Sequence, residues 1–433
     1  MISSSNYIIN NSKSLTGNIL IPGDKSITHR AIMIAALSHG ITLIKNPLLS
    51  EDCLNTIKAF KDLGVDISIN EDIKIVGKGI HGFNQPKDII YAGNSGTLAR
   101  LLSGILVAQK FSSSIIGDDS LNKRPMGRII NPLKAIGGLI ESNDDKLPIV
   151  FTPSKSLHHI NYNNVIASAQ IKSCLIFTAL YIGANSIITE EIKTRDHTER
   201  LLAYLNYPIS NNQKKITVKG IEPLHAKDIS VPSDISSASF FIVAALIKKD
   251  SDIVMKNIGV NPLRTGLLDV LIDMGANIKL TNKKVVCNEP IADIRVRYST
   301  LKPINISGKI VSRMIDELPI LFIACAVCNG ESIIEDIEEL RYKESDRISS
   351  MEEGFRNIGI KASSSKDSIK IQGGKFTGGI VDSNDDHRIA MAFLIAGLIS
   401  KKPITVREAQ NINTSFPSFI DILRDMNVEV YEI

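Results

Sequence analysis

The sequence predicts an α/β protein built from six copies of one unit, and three observations point to it. First, an amphipathic stretch that ends in an apolar residue, then Gly or Asn, then a β-like run, recurs at Leu63-Gly64-Val65, Ile136-Gly137-Gly138, Leu205-Asn206-Tyr207, Met274-Gly275-Ala276, Ile358-Gly359-Ile360 and Met426-Asn427-Val428. The intervals between these marks are about 73, 69, 69, 84 and 68 residues, longer than common solenoid repeats and suited to a small α/β unit. Gly or Asn is expected there because the residue after a last helical turn often takes φ > 0. Second, stretches such as Ala31–Leu37, Phe240–Ile247, Leu318–Cys325 and Met391–Ile399 are apolar nearly all round, which marks buried helices. Third, these alternate with β-branched runs and with amphipathic stretches that carry a polar face.

Unit one shows the order of elements. Ile19-Leu20-Ile21 reads as a strand, Pro22 to Ser26 as a turn and Ala31 to Leu37 as the apolar helix; Gly40 breaks it, Ile41 to Ile44 is a strand, and Asp52 to Leu63 is the second helix. Two helices in each of six units give about twelve helix N-termini, and the chemistry gathers there. First-helix N-termini carry Lys25-Ser26, Asn94-Ser95-Gly96, Ser168-Ala169-Gln170, Ser233-Asp234, Ser312-Arg313 and Asp385 to Arg388. Second-helix N-termini carry Asp52, Lys123-Arg124-Pro125, Thr194-Arg195-Asp196, Arg264-Thr265, Lys343 to Arg347 and Asn413-Thr414-Ser415. Ser, Thr, Asp and Asn in such places are ordinary caps. Cations there oppose the helix dipole. Lys25, Arg124, Arg195, Arg264, Lys343, Arg347 and Arg388 together therefore suggest helix ends that share anionic ligands; solvated surface charge is the alternative for any one of them.

Length and composition bound the function. A chain of 433 residues suggests two or three domains. With 43% hydrophobic and 22% charged residues it has the makings of a real core, which excludes global disorder and collagen-like or coiled-coil rods. A net charge of +4, 5% aromatics and no Trp argue against nucleic-acid binding. The longest apolar run, Leu318 to Cys328, is too short for a spanning helix, and Met1 to Asn18 lacks a signal pattern. No membrane association is expected, and the chain is expected in the cytoplasm. Cys53, Cys174, Cys287, Cys325 and Cys328 read as free and mostly buried thiols, the CxxC at 325–328 included. Metal-binding motifs such as HExxH or paired CxxC are not found.

Four motifs carry a resemblance. Gly23-Asp24-Lys25-Ser26-Ile27-Thr28-His29-Arg30, Gly93-Asn94-Ser95-Gly96-Thr97, Arg341-Tyr342-Lys343-Glu344-Ser345-Asp346-Arg347 and Asp385-Asp386-His387-Arg388-Ile389-Ala390-Met391 resemble, in order and across nearly the whole chain, the signatures of the 5-enolpyruvylshikimate-3-phosphate (EPSP) synthase family of enolpyruvyl transferases. The resemblance implies a two-domain α/β fold with three repeats per domain and the active site in the interdomain cleft. Crossings near Gly23-Asp24 and Val231-Pro232 make residues 1–23 with 232–433 one domain and 24–231 the other. It also implies transfer of the enolpyruvyl group of phosphoenolpyruvate (PEP) to the 5-hydroxyl of shikimate 3-phosphate, through a tetrahedral intermediate, by a monomer with no metal or cofactor.

Carried over by motif, Lys25 lies between both substrates; Ser26, Arg30, Ser168, Gln170, Arg195, Asp316 and Lys343 bind shikimate 3-phosphate; Gly96, Arg124, Gln170, Arg347 and Arg388 bind PEP. Asp316 is the candidate base for the 5-hydroxyl and Glu344 the candidate proton donor and acceptor at the PEP methylene carbon. Plainer readings stand beside these. Asp316-Glu317 could be a solvated helix edge and Lys343 to Arg347 an exposed helix start. Asp385 and Asp386 read as caps, His29 and His387 as structural hydrogen-bonders, and Arg100 as a partner within the second repeat. Ala169, Glu339 and Thr414 stand where many or some family members have Ser, Asn and Lys. The segments 168–170 and 194–199 resemble the family's divergent second class, and Gly96 predicts inhibition by glyphosate, a PEP competitor. The rival acceptor is UDP-N-acetylglucosamine, whose enzymes usually carry a Cys in the segment corresponding to 110–130, which has none here. A non-catalytic scaffold that binds a phosphorylated metabolite remains the other alternative.

Overall fold

The computed structural model describes residues 5–433. Six helices have almost no polar face: Lys25–Leu37, Gly96–Leu106, Ala169–Ala179, Ile235–Ile247, Leu318–Ala326 and His387–Gly397. In Ile235–Ile247 every residue is buried, and in Lys25–Leu37 every residue from Ile27 on. Such helices need neighbours on all sides. These are supplied by the other buried helices of the same unit, by small sheets and by six amphipathic helices, Glu51–Asp62, Gly127–Ala135, His197–Tyr204, Gly266–Asp273, Arg347–Asn357 and Phe419–Asp425. Each amphipathic helix ends at one of the marks read from the sequence. Gly64, Gly137, Asn206, Gly275, Gly359 and Asn427 have φ of 85°, 97°, 61°, 93°, 83° and 59°. The left-handed turn is cheap for Gly and tolerated by Asn, which explains the restriction to these two types.

Among the described residues, six four-stranded sheets share one strand order. In the second repeat the edge strand Ile90–Tyr91 runs parallel to Ser113–Ile116, which pairs antiparallel with Lys146–Thr152, itself antiparallel to Leu139–Asn143. The third and fifth repeats follow the same plan from their own residues. The others borrow a strand. Ile229–Ser230 supplies the parallel edge of the first, Thr16–Ile19 that of the fourth, and Tyr7–Ile9 the third strand of the sixth.

The chain divides into two compact units. One comprises the chain up to Pro22, Ser233–Lys284 and Pro290–Ile433; the other comprises Gly23–Pro232 with the hairpin tip Val285–Glu289. We call them the terminal unit and the central unit. Each has its own continuous apolar core. In the terminal unit Phe240, Phe241, Phe416 and Phe419 pack edge-on or tilted, with ring centroids 5.5–6.0 Å apart. Among the described residues no helix is long and apolar enough to cross a membrane.

Three local expectations need correction. The first strand after the N-terminal segment is Thr16–Ile19, and Leu20 is 83% exposed. Ser312-Arg313 closes an extra short helix, Lys309–Ser312, whereas the buried helix of the fifth repeat starts at Leu318 with Glu317 at its N-cap and Pro319 in its first turn, where a missing N–H costs nothing. Asn413-Thr414-Ser415 ends a 3-10 helix, Ala409–Thr414, and the last α-helix begins only at Phe419, after Pro417.

Candidate active site

In the terminal unit the predicted residues gather around one guanidinium. Arg347 opens its helix, and its side chain is 1% exposed. Its Nε donates to Asp386 Oδ2 at 2.7 Å and its Nη2 to Glu344 Oε2 at 2.5 Å and Asp386 Oδ1 at 3.2 Å. Its Nη1 lies 3.7 Å from Asp316 Oδ1, the same distance as Lys343 Nζ from that oxygen. Burial works against the charge on Arg347, but Asp386, Glu344 and Asp316 more than offset it, so its pKa lies above the usual guanidinium value. Arg388 donates through Nη1 to the Asp316 carbonyl at 2.7 Å. Asp386 has two duties: it caps its helix by accepting from Arg388 N at 2.9 Å and it fixes Arg347. Asp316, Lys343, Glu344, Arg347 and Arg388 thus form one cluster of alternating charge. The side chains of Asp316, Lys343 and Glu344 are 17–22% exposed. This arrangement can hold an anion against fixed cations and move a proton with either carboxylate.

In the central unit the sites lie at the N-termini of three buried helices. Lys25 is in the first turn of its helix, whose N-cap Asp24 accepts from Ile27 N at 2.8 Å. Its Nζ is 3.0 Å from Asp52 Oδ2. Asp52 therefore serves as an ion partner one residue into the second helix, and the N-cap is Ser50. Arg30 is turned inward and is 3% exposed. It donates to Thr198 Oγ1 at 2.8 Å, the Ser26 carbonyl at 2.9 Å and Ser173 Oγ at 2.8 Å, which ties the first repeat to the third. His29, beside it, is buried with Nδ1 2.7 Å from Thr56 Oγ1. Burial, Lys25 and Arg30 push its pKa well below the usual histidine value, so it is a neutral structural group.

Gly96 and Arg124 belong to the second repeat. Arg124 donates to Asn94 Oδ1 at 2.5 Å, and Asn94 donates in turn to Asp118 Oδ2 at 2.7 Å. A Cβ on Gly96 would sit 2.9 Å from Arg100 Nη1 and 3.5 Å from Arg124 Nη1, so glycine lets two guanidinium groups close in on the helix end. Arg100 Nη1 donates to Gln170 Oε1 at 2.9 Å, and Gln170 Nε2 donates to Thr97 Oγ1 at 3.3 Å. Arg100 is thus a bridge between the second and third repeats, not a partner confined to the second. Ser168 caps the helix Ala169–Ala179, and Arg195, half-buried, lies in the turn before the helix His197–Tyr204.

Some side chains escaped sequence reasoning. Arg264, grouped above with the ligand-sharing cations, is 3% exposed and donates to Ser236 Oγ at 2.6 Å, within 3.8 Å of the buried Asp234 and Glu317. Asp52, Asn94 and Asp386, read above only as helix-start or cap residues, also hold site side chains, and Lys172, not singled out above, does so from within a helix, where its signal is a lone charge in an apolar run. Thr414, one of the family departures, donates its hydroxyl to the Asn411 carbonyl at 2.7 Å. Cys325 and Cys328 are buried, and their thiols are pushed up to about 12 and about 11 by burial.

Comparison with known proteins follows the same lines. Residues 9–423 match the family described as EPSP synthase (3-phosphoshikimate 1-carboxyvinyltransferase). A 3-phosphoshikimate 1-carboxyvinyltransferase of Ruthia magnifica subsp. Calyptogena magnifica is 46% identical over 429 residues, 98% of this chain and 99% of that protein. One of Legionella pneumophila (strain Lens) is 43% identical, over 99% of both chains. Among solved structures, EPSP synthase from Acinetobacter baumannii superposes with a TM-score of 0.89 at 41% identity, over 100% of both chains. The enolpyruvyl transferase NikO from Streptomyces tendae, 14% identical, has a TM-score of 0.82 over 99% of each chain and so shares the fold.

Proposed function

The chain belongs to the EPSP synthase family, and from that membership we infer that it transfers the enolpyruvyl group of PEP to the 5-hydroxyl of shikimate 3-phosphate, releasing phosphate. The observation that carries this reading is identity of 46% sustained over 98% of the chain. Addition forms a C–O bond between the 5-oxygen and C2 of PEP while a proton reaches C3. Elimination then removes that proton and breaks the C2–O bond to phosphate. Both substrates are polyanions, so fixed cations hold them and offset charge as the intermediate forms.

We assign the roles as follows. Asp316 takes the 5-hydroxyl proton, with Lys343 Nζ and Arg347 Nη1 each 3.7 Å from its Oδ1. Glu344, held at 2.5 Å by Arg347, delivers the proton to C3 and takes it back. Arg347, Arg388, Arg124 and the Gly96 helix end hold PEP; Ser26, Arg30, Ser168, Gln170, Arg195 and Lys343 hold shikimate 3-phosphate; and Lys25 serves both. Residues 1–23 with 232–433, and 24–231, are its two domains, a division that the compact units support. The protein works as a monomer in the cytoplasm, a setting its five free cysteines suit.

Phosphate release from PEP by the purified protein tests the reading. Release is expected with shikimate 3-phosphate and not with UDP-N-acetylglucosamine or without acceptor, and glyphosate is expected to compete with PEP. Asp316→Ala and Glu344→Ala are each expected to lower kcat by about 100-fold or more, the contribution of one general acid–base group. Near-native turnover by either variant removes that residue from its role. No release with either acceptor moves the reading to binding alone.

A further inference from the structure

Lys172 lies one helical turn beyond Ser168 and its side chain is 0% exposed. An ammonium has three N–H donors; here it donates to Glu190 Oε2 at 2.9 Å and the Thr194 carbonyl at 3.2 Å, and Glu199 Oε1 lies 2.8 Å away as an ion partner. Burial works against this charge, and Glu199 and Glu190 more than offset it, raising the lysine's pKa. Glu190 Oε1 also accepts from Thr194 Oγ1 at 2.5 Å and from Asn164 Nδ2 at 3.4 Å. Asn164 Nδ2 in turn donates to the Ser168 carbonyl at 3.0 Å. One buried cluster therefore grips the cap of the helix Ala169–Ala179 on one side and the turn before Arg195 on the other.

We propose that the Lys172–Glu190–Glu199 cluster is a positioning device that sets Ser168 and Arg195 against the acceptor substrate, shikimate 3-phosphate. This rests on the assignment of those two residues as its ligands. A buried ion set of this sort is a poor stabiliser, because apolar groups of similar volume often serve as well or better. What it adds is direction: its hydrogen bonds, Lys172 to Glu190 and the Thr194 carbonyl, Thr194 to Glu190 and Asn164 to the Ser168 carbonyl, fix angles as well as distances. A helix that needed only packing at this point could hold Leu or Met. The cluster also reaches only one substrate's residues. Gly96 and Arg124 are fixed by a different set, Arg100, Asn94 and Asp118, and Gln170 by Arg100 and Thr97.

That separation supplies the test. In steady-state assays with each substrate varied in turn, Lys172→Met and the milder, isosteric Thr194→Val are expected to raise KM for shikimate 3-phosphate about tenfold, as a small misplacement of binding groups does. KM for PEP is expected to stay within about twofold. Thr194→Ser, which keeps the hydroxyl, should restore the native value. Thr194→Val is the safeguard should Lys172→Met not fold. Equal movement of both KM values, no movement in folded Thr194→Val, or a Thr194→Ser variant as impaired as Thr194→Val overturns the proposal. Arg195→Ala separates the layers. If it raises KM for shikimate 3-phosphate while Thr194→Val does not, the ligand assignment stands and the positioning role alone fails. If it leaves that KM unchanged, the assignment fails and the proposal with it. Native protein that releases no phosphate with shikimate 3-phosphate overturns both.

Discussion

His29 shows what the charges at these helix ends demand of their neighbours. It is buried between Lys25, one turn before it, and Arg30, with a hydrogen bond to Thr56. Protonation there would add a third cation to a desolvated place, so the folded chain keeps it neutral. An unfolded histidine takes a proton near pH 6.5. Below that pH the unfolded state therefore binds one more proton than the folded state, and stability falls as pH falls. The sign is that of a base whose folded pKa is depressed: its contribution is intact above about pH 6.5 and is lost on acidification. His29→Gln keeps a hydrogen-bonding side chain and removes the titration. Urea unfolding of both proteins at pH 7.5 and 5.5 should show the native protein losing about 1 kcal/mol more than the variant across that range. Equal losses would mean that His29 accepts a proton in the fold. The same scale shows what was legible in the sequence. Lys25, Arg347 and Arg388 could be marked because a cation at a helix start is locally anomalous. Arg264 carried the same mark, yet its carboxylate partners Asp234 and Glu317 are buried, where Arg347 meets the part-exposed Asp316 and Glu344, and nothing local to either arginine distinguishes the two cases.

At the scale of elements, a buried first helix is repeatedly pinned at its N-terminus to a neighbouring helix by a polar or ionic contact. Lys25 meets Asp52, Asn94 meets Arg124, Lys172 meets Glu199, Ser236 meets Arg264, and Asp386 meets Arg347. In helices with almost no polar face, such directed contacts fix the N-terminus more closely than apolar packing alone. The partner pairs lie 27 to 39 residues apart in sequence, so periodicity, which speaks only of local faces, could not match them. By contrast, the helix ends at Gly64 and Asn427 and the apolar helices were readable, because a left-handed turn and an all-apolar face are local properties. Arg264 tests the pinning. It holds Ser236 of one helix and lies 3.6 Å from Glu317 at the N-cap of another, next to Asp316. Arg264→Leu leaves Glu317 and Asp234 buried without their cation and should cost about 3–5 kcal/mol in stability. Adding Glu317→Gln removes one stranded charge, so the double variant should be more stable than the sum of the single losses predicts, by about 1 kcal/mol or more. Strict additivity in denaturant titrations would mean that the two residues act independently.

Over the whole molecule, repetition explains both the economy of the fold and its one awkward closure. The first and fourth repeats each lack their own parallel edge strand and take it from another stretch of chain, and the sixth lacks its third strand. That last gap is the serious one. An edge strand can be lost with one row of hydrogen bonds, but Tyr7–Ile9 lies between Ile404–Arg407 and Val430–Glu432 and pairs with both. The start of the chain thus completes a sheet formed by its end, and Asn10 donates to Glu429, 419 positions on, at 2.9 Å. Contacts of such separation carry a large loop-closure cost. The fit is tight where they form. Ile9 is 0% exposed, and a Cβ on Gly397, at the end of the last buried helix, would lie 2.1 Å from Ile9 Cγ2. Gly397→Ala should therefore overpack the joint and cost about 1–3 kcal/mol. Ile9→Ala should leave a cavity and cost about 2–5 kcal/mol. Made together, the new methyl group occupies space that Ile9 has vacated, so the double variant should be more stable than the summed losses imply by about 1 kcal/mol or more. Calorimetric or denaturant unfolding of the four proteins measures that coupling. A coupling of zero would mean that the N-terminal strand does not seat against the helix His387–Gly397 in solution, and that the sixth repeat is closed by some other contact.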